Sequence, residues 1–173
     1  PTKSAMITTE DGAYLLTDTQ GAVLFSYNAG QSWFSPTTAP WGSDAPNGTS
    51  CHHVNLVLGQ DGAVYATSTH SQRDGILYRS DDDGANWTQV GTWPHQTGLM
   101  HALEVTLEGV IFVAHTPYEG AQVFRSLDGG ETFEQVSSYN DSTFGGVALI
   151  TSDSAGTLYA IGNPESTLYR SFD

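Results

Sequence analysis

Ser80-Asp81-Asp82-Asp83-Gly84-Ala85-Asn86-Trp87 reads Ser-x-Asp-x-Gly-x-x-Trp, and the chain repeats this phrase. Ser26-Tyr27-Asn28-Ala29-Gly30-Gln31-Ser32-Trp33 has Asn in the acid's place, and Ser126-Leu127-Asp128-Gly129-Gly130-Glu131-Thr132-Phe133 has Phe for Trp. Ser171-Phe172-Asp173 opens a fourth copy. The serines stand 54, 46 and 45 residues apart, a period that reads as a repeat architecture. Each copy makes sense as a turn. Ser and Asp or Asn side chains bond nearby backbone N–H groups, Gly supplies a left-handed position, and the aromatic folds back as an apolar anchor. Ser26, Asn28, Gly30 and Trp33, then Ser80, Asp82, Gly84 and Trp87, then Ser126, Asp128, Gly130 and Phe133 are therefore expected to be structural.

A second mark precedes each copy: Glu10-Asp11-Gly12, Gln60-Asp61-Gly62, Leu107-Glu108-Gly109 and Ser154-Ala155-Gly156. Glycine turns between alternating apolar runs signal hairpins. The flanking runs read as strands: 5–9 with 13–17, 54–58 with 63–67, 102–106 with 110–114, and 147–151 with 157–161. A third strand leads into each phrase (22–25, 76–79, 122–125, 167–170), and a fourth follows the aromatic in three copies, from Phe34, Thr88 and Glu134. No helical period of useful length appears. The unit is a four-stranded antiparallel meander used four times, stable only when neighbours stack.

The phrase resembles the Asp-box, or BNR repeat, of sialidases, sortilin-type receptors and several secreted or viral β-propellers. The resemblance implies an all-β fold, a small β-propeller of about four blades. It places the box between the third and fourth strands, on the rim away from the binding face, and gives it a structural role. Many relatives bind sugars. The expected organisation is one propeller domain over 1–173, with blades at about 4–40, 52–93, 101–139 and 146–173. The fourth blade's last strand would come from Pro1–Ser4 or a partner; alternatively the chain is a piece of a larger propeller.

The formal charge of −14, with only five Lys and Arg, argues against nucleic acid and anionic membrane surfaces. It is compatible with bound divalent cations or with simple solubility. Cys51 is the only cysteine, so no disulfide forms within the chain. No apolar run reaches transmembrane length, and Pro1 at the start suggests a mature form or a domain excised from a longer chain.

In such a meander the loops joining strands two and three, and blade to blade, share one end; the glycine turns and boxes share the other. All six histidines fall at or beside the first end: His52, His53, His70, His95, His101 and His115, joined by Trp41, Trp93, Tyr118, Tyr139 and Phe144. The connection 34–53, about twenty residues, is long enough to suggest function. The expected ligand-binding set is Trp41, His52, His53, His70, Arg73, Trp93, His101, His115, Tyr118 and Tyr139, the plainer alternative being polar loops and junction plugs. Asp18, Asp74, Glu119 and Glu165 recur before each third strand and could ring the channel as Ca²⁺ ligands, or simply be solvated turn residues. The Asp81-Asp82-Asp83 run is a second calcium candidate, though it does not match an EF-hand loop. Zinc or nickel at histidine pairs is a further alternative, but His52 and His53 would point oppositely on a strand.

A sialidase would need three arginines on its substrate carboxylate. Of four arginines, Arg79, Arg125 and Arg170 each precede a box serine, and only Arg73 lies at the binding end, so a sialidase is not expected. A glycosidase using two of Asp44, Asp74, Glu119 and Asp141 is harder to exclude. Cys51 beside His52 and His53 has no marked oxyanion hole, and no phosphate-binding glycine loop is present. The leading expectation is a non-catalytic recognition module on an extracellular or virion surface. It would bind a cell-surface glycan or protein receptor, with Ca²⁺ as a stabilising ion. A small polysaccharide hydrolase and a purely structural assembly domain are the alternatives.

Overall fold

A computed structural model describes residues 6–9, 12, 14–17, 23–36, 53–69, 75–93, 98–117, 121–139, 146–163 and 167–171. These residues form strands and turns only, in four antiparallel meanders. Sheet 1 is β1 (Met6–Thr8), β2 (Tyr14–Thr17) and β3 (Val23–Ser26). Sheet 2 is β4 (His53–Leu58), β5 (Val64–Thr69), β6 (Gly75–Ser80) and β7 (Thr88–Trp93). Sheet 3 is β8 (Gly98–Val105), β9 (Ile111–Pro117), β10 (Ala121–Ser126) and β11 (Glu134–Tyr139). Sheet 4 is β12 (Gly146–Ser152), β13 (Leu158–Asn163) and β14 (Thr167–Arg170). Where a fourth strand was expected from Phe34, the described residues form a single bridge, Phe34 to Phe25.

The glycine turns share one geometry. The N–H groups of Gly12, Gly62, Gly109 and Gly156 donate to the carbonyls of Thr9, Gly59, Thr106 and Asp153 at 2.9–3.1 Å, and all four glycines sit at φ 80–81°. This is a tight turn closed by a left-handed residue, the reason glycine recurs there.

Side-chain alternation divides sheets 2 and 3 each between two neighbours. In sheet 2, Val64, Ala66, Tyr78 and Trp87 pack with Leu15, Val23 and Phe25 of sheet 1. Ala63, Tyr65, Leu77 and Trp93 pack instead with Leu103, Val105, Ile111, Val113 and Phe124 of sheet 3. Sheet 3 turns its other face, with Ala102, Phe112, Ala114 and Val123, to Val147 and Ile150 of sheet 4. Leu15, Leu77 and Ile111 are fully buried, each contributing about 1.5–3 kcal/mol of transfer free energy. The first strands of successive sheets are neighbours: β1 lies against β4, β4 against β8 and β8 against β12. Among the described residues no packing of that extent joins sheet 4 to sheet 1.

The strands run further than expected toward the end away from the glycine turns. His53 opens β4, Trp93 closes β7, His101 lies in β8, His115 in β9 and Tyr139 closes β11, so these are strand positions and not loop residues. Continuous antiparallel ladders outlast the apolar alternation used to draw the boundaries. Pro1–Ser4, proposed to complete the fourth blade, lies outside the described residues.

Candidate functional site

The two ends of the sheets differ in chemistry. At one end stand the three complete Ser-x-Asp/Asn corners. The Ser80 hydroxyl donates to Asp82 Oδ1 (2.9 Å) and accepts the Gly84 N–H (2.8 Å). Asp82 Oδ1 accepts the Asn86 N–H (2.7 Å), Asp82 Oδ2 accepts the Asn86 side-chain amide (2.7 Å), and the Trp87 indole N–H donates to the Gly84 carbonyl (2.9 Å). Ser126 and Asp128 repeat this with Gly130 and Thr132. Ser26 and Asn28 repeat it with Gly30 and Ser32, the Asn28 amide donating to the Ser32 hydroxyl. Two consecutive left-handed residues make each corner: Ala29 and Gly30, Asp83 and Gly84, Gly129 and Gly130.

These bonds set the carboxylates' acidity. The Thr132 side chain and N–H hold Asp128 at a pKa of about 2. Partial desolvation pushes Asp82 upward, but its bonds from Asn86 and Ser80 outweigh that and lower it below the usual value. The rim arginines are engaged too. Arg79 pairs with Asp61 (2.6 Å) and Asp81 (2.7 Å) and lies over the Tyr65 ring. Arg125 pairs with Glu134 (2.5 Å), and Arg170 stands over the Tyr159 ring at 5.9 Å. So Asp81 and Asp82, put forward for calcium, already hold protein partners. Among the described residues no three His, Cys, Asp or Glu side chains gather as a metal site would require.

At the opposite end the ladders place β5's last residue, Thr69, one step beyond Ser68–Ile76, the pair at that end of the β5–β6 ladder, while Gly75 faces Trp93. The segments 70–74, 94–97, 118–120, 140–145 and 164–166 connect strand ends there. His53 pairs with Thr69, His115 with Met100 and Gln122, and Tyr139 with Ala121. His101 is the extra residue of a bulge between Met100 and Ala102, a device common beside active sites. Trp41, His52, His70, Arg73 and Tyr118 lie outside the described residues, as do Asp18, Asp74, Glu119 and Glu165.

Trp93, expected among the ligand contacts, is a core residue, 1% exposed. Its ring lies over Gly75, where a methyl group would come within 2.1 Å of it, and it meets Phe133 of sheet 3 edge to face. The alternation that set it beside the loops also pointed it between two sheets. Nearby on sheet 2 sits a feature the sequence reading missed. Asn55 Nδ2, Thr67 Oγ1 and Trp93 Nε1 are buried polar atoms without a hydrogen-bond partner, and Asn55 pairs with Thr67 across the ladder. Asn55 interrupts the apolar run Val54-Asn55-Leu56-Val57-Leu58, the one signal that could have marked it.

No protein-family model matches the chain, and no curated protein does. Solved structures do. A protein of unknown function from Dyadobacter fermentans shares 18% identity over 91% of this chain at a TM-score of 0.65. Penicillium chrysogenum α-L-arabinanase, complexed with arabinobiose, gives 14% over 98% at 0.66, and the NanB sialidase of Streptococcus pneumoniae 12% over 95% at 0.61. These neighbours include β-propeller proteins. The chain has a β-propeller fold. It spans 56%, 61% and 28% of those three chains. The likeness supports the propeller part of the resemblance; membership of the Asp-box family is not among the matches. The expectation that the chain is non-catalytic is corrected: structures of this shape include an arabinanase and a sialidase, so the fold gives no ground for setting enzymes aside.

Proposed function

We propose that the chain belongs to a carbohydrate-active propeller that cleaves glycosidic bonds at the end of the sheets opposite the Ser-x-Asp corners. The observation that carries this reading is the asymmetry of the two ends. Every corner carboxylate and rim arginine described above is bound within the protein, whereas toward the other end β8 is bulged at His101 and the paired Asn55 Nδ2 and Thr67 Oγ1 of sheet 2 are buried without partners. Asp44, Asp74, Glu119 and Asp141 fall in sequence between the strands, outside the described residues. Two of them at a suitable separation would serve as general acid and as base or nucleophile. An arabinanase complexed with arabinobiose and a sialidase share this fold, which favours the reading by analogy. Aromatic residues beside these loops, Trp41 and Tyr118 among them, suit stacking on sugar rings.

The test is release of reducing ends from a panel of arabinans, xyloglucans and sialylated glycans by the chain and its Asp74→Asn and Glu119→Gln variants. Loss of one acid–base group is expected to slow turnover about 10²–10⁴-fold with the fold intact. Glycan binding without turnover by the unsubstituted chain would overturn hydrolysis.

A further inference from the structure

The three complete corners differ along the outer edge of their sheets. The residue before the corner serine is Arg79 in sheet 2, Arg125 in sheet 3 and Phe25 in sheet 1. Its cross-strand partner is Thr88, Glu134 and Phe34 in the same order. The residue after the serine is Asp81, Leu127 and Tyr27. Sheets 2 and 3 thus place ion pairs at this edge, Arg79 with Asp81 and Arg125 with Glu134, where sheet 1 places three aromatic rings.

The three rings form one cluster. Phe25 and Phe34 exchange backbone hydrogen bonds of 2.9 Å, and their ring centroids lie 5.9 Å apart. Tyr27 meets Phe25 edge to face at 5.3 Å. Phe25 is buried, whereas Phe34 is 50% exposed and Tyr27 55%. The corner does not need them, because Ser26 and Asn28 make the same bonds as Ser80 with Asp82 and Ser126 with Asp128. Rings placed to seal the junction with sheet 2 would be buried, as Phe25 is.

Polar groups flank the exposed pair. The Tyr27 hydroxyl donates to the Asp82 carbonyl at 3.3 Å, which sets the cluster against the second corner. Burial first, and then the charges of Asp83 and Asp82, raise the pKa of that hydroxyl, so both carboxylates lie close to the ring. Half-exposed rings offer together only about 200 Å² of surface, against roughly 800 Å² per partner in a protein interface. That area suits a small rigid ligand with an apolar face and hydroxyl edges.

We propose that Tyr27 and Phe34 form a saccharide-binding platform at the corner end of sheet 1, which takes neutral sugar residues of a polysaccharide. The C–H face of a sugar ring rests on the aromatic rings, which give contact area at little entropic cost, and its hydroxyls donate to Asp83. Uronic and sialic acids are disfavoured, since their carboxylates would approach Asp82 and Asp83 in a chain of net charge −14. The platform stands at the end opposite the proposed hydrolytic site, and its binding does not depend on turnover there.

Electrophoresis in gels containing arabinan, xyloglucan or, as the anionic control, polygalacturonate tests the platform. At least one of the neutral polymers is expected to retard the chain. Its dissociation constant should rise at least tenfold in Tyr27→Ala and in Phe34→Ala, and change less than threefold in Tyr27→Phe, which keeps the ring. A measurement on the unsubstituted chain avoids any folding defect: soluble fragments of the retarding polymer should shift the ring-proton NMR signals of Tyr27 and Phe34. Equal retardation of all variants with those signals unmoved would put binding elsewhere and overturn the platform, as would no retardation by either neutral polymer. Retardation by polygalacturonate as strong as by the neutral polymers would contradict the neutral class. Turnover with retardation insensitive to Phe34→Ala would leave hydrolysis standing and remove the platform. Retardation lost in Phe34→Ala without turnover by the unsubstituted chain would do the reverse.

Discussion

Trp93 and Phe133 meet edge to face across the boundary of sheets 2 and 3, their ring centroids 5.4 Å apart and their planes at 61°. Trp93 ends the outer strand of one meander, and Phe133 is the aromatic of the next meander's corner. The repeat thus builds its own interface: the second corner, through Gly84, presses on Leu15 of sheet 1, and the third, through Gly130, on Leu77 and Val90 of sheet 2. Aromatic pairs of this geometry add about 0.5–1.5 kcal/mol beyond their burial. Phe133→Ala should destabilise by about 2–4 kcal/mol, since the ring is only partly buried, and lower the melting temperature by roughly 5–15 °C. Calorimetry of this variant checks it, and an unchanged melting temperature would contradict the packing.

Gly91 and Gly129 should respond oppositely to one methyl group. At Gly91 it would strike the Gly130 carbonyl at 1.6 Å, a backbone atom that cannot step aside. Gly91→Ala is expected to cost about 3 kcal/mol or more, at or beyond the upper end of overpacking. Gly129 has nothing within 4 Å of the same methyl group and only its φ of 73° to strain, so Gly129→Ala should cost about 1–2 kcal/mol. Urea unfolding of the pair gives the ranking.

Ser80→Ala removes the acceptor of the buried Gly84 N–H and the donor to Asp82 Oδ1 together. An unsatisfied buried donor costs about 1–3 kcal/mol, so this variant should lose that much in chemical denaturation. Tyr27, whose hydroxyl donates to the Asp82 carbonyl from the neighbouring corner at 3.3 Å, is exposed, and Tyr27→Phe should change stability by under about 0.5 kcal/mol.

Asp128 makes stability depend on pH in acid. Its folded pKa of about 2 lies below the unfolded value near 3.9, so the folded state holds fewer protons. Its contribution is present above about pH 4 and disappears as pH falls toward 2; Asp82, lowered as well, acts in the same direction. The first corner contains the natural control. Asn28 makes the same bonds to Ser26 and Ser32 without titrating. Asp128→Asn should therefore keep the corner at neutral pH and flatten the stability curve between pH 4 and 2, as followed by urea midpoints.

The period of the Ser-x-Asp/Asn phrase, the glycine turns and the alternation of apolar residues determined the all-β meander and its strand order. Each is a local matter: a turn depends on a few adjacent residues, and pleat periodicity is written into neighbours two apart. Ser80, Asp82 and Gly84 could be assigned a structural part for the same reason, since their bonds span at most four residues. The tertiary structure alone decided what lies between sheets. It buried Trp93 instead of offering it to a ligand, left Asn55 Nδ2 and Thr67 Oγ1 without hydrogen-bond partners, and set Gly91 hard against the Gly130 carbonyl. Those outcomes depend on which residues of one sheet face which of the next, a distance of some forty-five positions in sequence, and no local pattern encodes it.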